Sequence, residues 1–159
     1  MTRHRADSLA AAIGGGLLSG LAGTAAMTVS STIEMRLSGR EPSRTPGTAA
    51  GTLLHVRPQD AKGEQRFGGL AHWAYGTLWG LARPVVHAFG LRGWQGALCH
   101  GTAVLTAEQA LLPALGAGSP TPCYGLRPLG IDTLHHAVYA AVAVLAHERL
   151  FGSRAPRRR

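Results

Sequence analysis

Four apolar stretches of this chain each carry a few acids, imidazoles or phenols at helical spacing. Asp132, His135, His136, Tyr139 and Ala143 recur every three or four residues, which puts them on one helix face with Leu134, Val138, Ala141 and Leu145 opposite. His100, Val104 and Glu108 share a face in the same way. His72, Tyr75, Gly76, Trp79, Gly80, Arg83 and His87 fall within a sector of roughly 140° at 100° per residue. Glu34 ends a face made by Gly16, Gly20, Gly23, Met27 and Ser30. Histidine nitrogens and carboxylates suit zinc, iron or manganese, and Asp132-x-x-His135 sets two ligands one turn apart, with His72 and Glu108 available to complete a shell. The Glu-x-x-His pairs that di-iron bundles carry on two helices are absent. The same groups could relay protons or ions, since histidine titrates near neutrality. Haem would need histidines facing across a core, such as His100 opposite His87 or His147, and is the least supported of the three. The plainest account is structural: Glu108 pairs with His72 or His136 to avoid an isolated buried charge, and Tyr75 and Tyr139 hydrogen-bond nearby.

The elements that must hold these residues are long helices. Residues 9–37 form an apolar segment able to span roughly 30 Å at 1.5 Å per residue. A cleaved signal peptide is the rival reading there, because Arg3 and Arg5 precede the run, but the run is too long and too glycine-rich for a typical signal core. Gly16-x-x-x-Gly20 permits a close helix crossing. Residues 38–66 are polar; within them Thr45-Pro46 reads as an N-cap and first helical residue of a short helix at the membrane surface. A second helix covers 67–89, with a kink or end at Arg83-Pro84. A third covers 94–115 and is closed by Gly116 and Gly118. The prolines at 120, 122 and 128 exclude regular structure from 116–130, and a fourth helix covers 131–151 with Asp132 near its first turn. Short second and third connections make an up-down-up-down arrangement. A basic arm (1–8) and a basic tail (152–159) flank this single domain of 9–151.

Charge separates the function classes. The 159 residues include 16 Arg and Lys, 8 Asp and Glu and 22 Gly, with a net charge of +8. The basic residues do not line a folded face, as they do in nucleic-acid binders; they gather at the termini and between 36 and 66, at the ends of nearly uncharged runs. That is a membrane pattern, although glycine, alanine and arginine hold the mean hydropathy barely above zero, as a soluble helical bundle would also show. Nine basic residues belong to the termini and the 83–93 turn and seven to the other connections, which sets both termini in the cytoplasm. Cys99 and Cys123 are too few for a disulfide framework or zinc knuckle and read as small fillers. Trp73, Trp79 and Trp94 need no cofactor, because aromatics near helix ends settle at lipid headgroups. Gly14-Gly15-Gly16 lacks the Lys-Ser/Thr and the strand of a phosphate loop, and there is no nucleophile elbow and no CxxC.

Antiparallel alternation then predicts two groups. Glu34, His72, Tyr75, Glu108, Asp132, His135, His136 and Tyr139 come to depths within roughly 5–8 Å of one another as a single cluster at one end. Arg83, His87, His100 and His147 gather at the cytoplasmic end.

The order of features resembles the YagU-like (DUF1440-type) family of small bacterial inner-membrane proteins and their actinobacterial relatives. Gly20 and Gly23, Glu34, Thr45-Pro46, His72, Tyr75-Gly76 and His135-His136 with Tyr139 carry the likeness. The resemblance implies four membrane helices in a bacterial inner membrane, no established enzymatic activity and an association with acid resistance. The arginine-rich tail and the 116–130 loop have no counterpart in it. The sequence therefore predicts an all-α, integral membrane four-helix bundle. Its partners are the lipid bilayer and, as an open alternative, further copies of itself; nucleic acid is excluded. Its polar cluster handles protons or a metal ion, or else only stabilises a scaffold that recruits a partner through the basic termini. No reaction is legible.

Overall fold

A computed structural model describes residues 2–119 and 125–151, with side chains from Ser8 onward. Cys123, Pro120, Pro122, the side chains of the basic arm and the tail from 152 lie outside the described residues. Six helices follow in order: α1 (Thr2–Ser38), α2 (Thr45–Leu54), α3 (Ala61–Trp79), α4 (Ala82–Ala88), α5 (Gly93–Ala114) and α6 (Leu126–Phe151). No strand occurs among the described residues. α1 packs against α3 and α6, α6 also against α5, and α2 against α3; α4 touches α1, α5 and α6. Each long helix runs antiparallel to its neighbour, as Thr28 beside His72, Ser30 beside His135, and Glu108 beside His136 show.

Several boundaries differ from the sequence reading, each for a local reason. α1 continues through the arm to Thr2. α3 begins at Ala61, six residues early, because the Asp60 carboxylate accepts from the Gly63 N–H at 2.6 Å and caps the helix in the polar segment. The break falls at Gly80–Leu81 and not at Arg83-Pro84. A proline ring clashes with the carbonyl four residues earlier, so Pro84 acts at Gly80, whose carbonyl instead accepts from the Arg83 N–H at 2.9 Å. α6 begins at Leu126, so 126–130 is helical after all: Pro128 lies in the first turn, where its missing N–H would have had no helical partner. Thr45 is the first residue of α2 and not its cap; Arg44 flanks it without a capping hydrogen bond. α5 ends as the glycines suggest. Gly116 takes a φ of +64°, and the Gly116 and Ala117 N–H groups bond back to the Pro113 and Leu112 carbonyls at 3.0 and 2.9 Å.

Packing is closest where side chains vanish. A Cβ at Gly20 would collide with the Thr77 carbonyl, and one at Gly80 with the Gly16 carbonyl and the Gly20 backbone. α1 and α3 therefore touch backbone to backbone, through the Gly16-x-x-x-Gly20 pair on one side and Gly80 on the other. Gly23 gives its space to the Tyr139 ring of α6.

The apolar core is small: Val104, Tyr139, Ala140 and Ala143, with Met27 and Trp79 against them. The other buried side chains are largely polar, namely Ser19, Thr24, Arg83, His100, His135, His136 and His147. Ser19 and Thr24 satisfy their hydroxyls within α1 by donating to the carbonyls of Gly15 and Gly20. Large apolar side chains meanwhile point outward, among them Leu9, Leu18, Val29, Leu70, Val85, Leu98, Leu134 and Leu145. Trp94 is exposed at the start of α5, whereas Trp79, the last residue of α3, packs on the core instead of facing outward. Cys99 is a free thiol on an exposed face, not a buried filler. Two helices, Ser8–Ser38 and Leu126–Phe151, are long and apolar enough to cross a membrane. α3 and α5 fall short of that measure: Lys62, Glu64 and Arg66 occupy the early turns of α3, and glycines dilute both helices.

Candidate functional site

The single polar cluster expected from the sequence separates into two facets of α6. Adjacent residues on a helix point about 100° apart, so His135 and His136 cannot serve the same neighbour. His136 faces α5. Its Nε2 lies 2.6 Å from Glu108 Oε2, and its Nδ1 lies 2.9 Å from the Asp132 carbonyl oxygen and 3.4 Å from Asp132 Oδ1. Gln109 Nε2 approaches Asp132 Oδ2 at 3.5 Å from the other side. His135 faces α1, where its Nδ1 meets Ser30 Oγ at 2.9 Å and its Nε2 lies 3.9 Å from Glu34 Oε2. Glu34 is held by Arg40, whose Nη2 and Nε donate to Oε2 at 2.8 and 3.1 Å. Asp132-x-x-His135 is therefore not a ligand pair; the i,i+4 partner His136 takes that place.

His72 reaches neither acid directly. Its Nε2 pairs with Thr28 Oγ1 at 3.1 Å, within electrostatic reach of Glu108 and His136. Tyr75 is 38% exposed at the edge of α3, its ring edge-on to Trp79, and lies within electrostatic reach of Glu108 and Tyr139. Tyr139 is buried and donates to the Gly76 carbonyl at 2.7 Å, which ties α6 to α3.

Geometry fixes the protonation pattern at His136. A backbone carbonyl only accepts, so Nδ1 carries a hydrogen. Nε2 lies 2.6 Å from Glu108 Oε2, within ion-pair distance, but the contact is not aligned as a hydrogen bond and Oε2 is left without a hydrogen-bond partner. His136 is almost fully buried and Glu108 largely so, which strengthens the electrostatic interaction between them. One potential ligand atom each from Glu108, Asp132 and His136 lie within 4.8 Å of one another, the only such trio among the described residues. Asp132 stands on the Nδ1 edge of the ring and Glu108 on the Nε2 edge, so one ion on Nε2 would take Glu108 directly and Asp132 only after its side chain turned.

At the opposite end, Arg83, His87, His100 and His147 come together from α4, α5 and α6. Arg83 is fully buried, with Nη1 at 3.5 Å from the Gly96 carbonyl. The rings of His87 and His147 lie 5.2 Å apart, and His100 stands edge-on to Tyr139 with ring centres 5.6 Å apart.

The sequence puts Ser30 on the Glu34 face without a role, and it points to none of Arg40, Thr28 and Gln109. The hydroxyls could have been found, since Thr24 and Thr28 fall four apart beside the glycine face of α1. Arg40 could not, because it reaches Glu34 only through the turn at Gly39, φ +71°. No protein-family model matches this chain, no curated protein is similar to it, and no solved structure matches its fold.

Proposed function

We propose that this is a small membrane protein, its four long helices crossing a bilayer, that binds a proton between Glu108 and His136. The proton site rests on one observation: a buried Glu108 oxygen with no hydrogen-bond partner stands at ion-pair distance, 2.6 Å, from a ring nitrogen whose partner nitrogen is committed to the Asp132 carbonyl. A buried carboxylate and imidazole sharing one proton can gain or lose it as a unit, with Asp132 supplying a second negative charge beside the ring. An open, mostly apolar groove lined by Ile33, Glu34, Leu37, Ile131, Leu134 and His135 lies beside this end of α6, on the Glu34 side and not at Glu108. The membrane setting is supported by apolar side chains turned outward over a polar interior, the reverse of a soluble bundle. The acid-resistance association carried by the family resemblance fits a proton-binding role, and the same resemblance supports a bacterial inner membrane.

A second reading, a divalent metal held by Glu108, His136 and Asp132, has the proximity of the three donors in its favour. The two separate in purified protein. Nitrogen NMR of ¹⁵N-histidine-labelled protein in lipid should show one ring protonated at Nδ1, with an Nε2 signal that moves in Glu108→Gln and disappears in His136→Gln. An unchanged Nε2 signal in Glu108→Gln refutes the shared proton. A stoichiometric transition metal that is lost in Glu108→Gln replaces it with the metal reading.

A further inference from the structure

We infer that the Arg83 group is an oxyanion site, at the end of the protein opposite the proton site and independent of it. Arg83 is fully buried, yet its Nε and Nη2 have no hydrogen-bond partner, and no carboxylate among the described residues lies within ion-pair distance of it. Glu148 lies within electrostatic reach but makes no ion pair with Arg83; its Oε1 accepts from the Gly93 N–H at 2.7 Å. A buried cation with unpaired donors is costly, and an anion is what relieves it. Nε and Nη2 form the side-on fork of the guanidinium, the pair of donors that meets two oxygens of one phosphate or carboxylate.

The surroundings repeat the signal. His100 is fully buried with only the Trp79 backbone near its ring nitrogens, and Nδ1 of His87 and Nδ1 of His147 have no hydrogen-bond partner. All three histidines lie within electrostatic reach of Arg83. Four side chains from three helices thus supply no anion, the arginine offering its fork and each imidazole at least one N–H. Gly96 gives the guanidinium its place, since a Cβ there would stand 3.1 Å from Nη1. The guanidinium is enclosed, so an entering anion displaces a side chain and does not fill a void. His87 is the group's half-buried member, on a helix of seven residues that follows the break at Gly80, and it is the side chain that yields. The group lies level with the 90–93 turn, at the end of the helices, where either dissolved phosphate or a lipid phosphate can arrive.

The test uses full-length protein in uncharged detergent, with thermal unfolding followed by tryptophan fluorescence. Inorganic phosphate should raise Tm by about 5 °C or more at saturation, against chloride at equal ionic strength. Arg83→Lys, which keeps the charge but loses the fork, should abolish the shift. If phosphate has no effect but phosphatidylglycerol in the micelle stabilises the wild type over uncharged diacylglycerol, and Arg83→Lys abolishes that, the oxyanion is a lipid headgroup. Equal stabilisation by chloride, no response to either phosphate source, or an undiminished response in Arg83→Lys overturns the site. Should Arg83→Lys not fold, ³¹P NMR decides with the wild type alone: phosphate bound at this site broadens and is released by sulfate but not by chloride, and a resonance unaffected by protein or lipid titration overturns the proposal.

Discussion

Removing the Glu108 carboxylate measures what the pair with His136 contributes. At 2.6 Å the pair is at ion-pair distance, where a charge-assisted contact contributes about 1.5–3 kcal/mol net, against about 0.5–1.5 for a neutral one. Glu108→Gln keeps the shape but loses the charge, so it should cost about 1–1.5 kcal/mol. Glu108→Leu removes the partner and leaves Nε2 of a buried ring unsatisfied, which raises the cost to about 3 kcal/mol or more. For a chain of this length that corresponds to Tm losses of about 2–6 °C and at least about 6 °C. The assay is thermal unfolding of detergent-solubilised protein by near-ultraviolet circular dichroism. A double-mutant cycle with His136→Leu should return a coupling of about 1.5 kcal/mol or more, because the two side chains touch. Additive effects, or a Glu108→Leu protein as stable as wild type, would refute the argument that these groups share a proton.

Three further outcomes follow from packing and topology. Gly80→Ala should destabilise by about 1–3 kcal/mol, since its Cβ meets rigid backbone of α1, whereas Gly14→Ala, with nothing within 4 Å, should stabilise by about 0.5–1 kcal/mol; denaturation midpoints compare the two. Tyr139→Phe should cost about 1–2 kcal/mol by losing the 2.7 Å bond to the Gly76 carbonyl, visible as a lower Tm with unchanged helix content. Reporter fusions at the C-terminus and within 40–60 should report opposite sides of the membrane, the C-terminus cytoplasmic; both on one side would remove the four-crossing topology.

Helix period carried most of what the sequence could say. On one face His135, His136, Tyr139 and Ala143 are buried and Asp132 half-buried, and on the other Leu134, Ala141 and Leu145 are exposed and Val138 half-exposed, because a 3.6-residue repeat leaves little freedom once one side is covered. What period cannot resolve is which neighbour a buried residue meets. His135 and His136 look like one motif in the sequence, but the 100° between them sends one to α1 and the other to α5. Tyr75, at the edge of its sector, is partly exposed yet still within electrostatic reach of Glu108. Helix ends were less legible than helix faces, since Pro128 is tolerated in a first turn and Pro84 exerts its effect four residues upstream, at Gly80. Local sequence marks a proline, not which side of it the helix lies on.

The two polar groups are kept apart by the part of the molecule with the least polar surface. His136 and His147 are separated by eleven residues of α6, roughly 16 Å at 1.5 Å per residue. Between them lie Tyr139, Ala140 and Ala143, packed with Val104, Met27 and Trp79. Tyr139 carries the one hydroxyl in that layer of α6, and its proton is already donated to the Gly76 carbonyl, so it cannot pass a proton from Glu108 toward His100 without breaking the bond that ties α6 to α3. The charges oppose passage as well. Glu34, Glu108 and Asp132 gather at one end, whereas a fully buried Arg83 stands at the other, where it repels any cation coming through. On the proposed reading, a proton bound at His136 therefore enters and leaves by the Glu34 end, and the site stores or senses protons from one face instead of conducting them across.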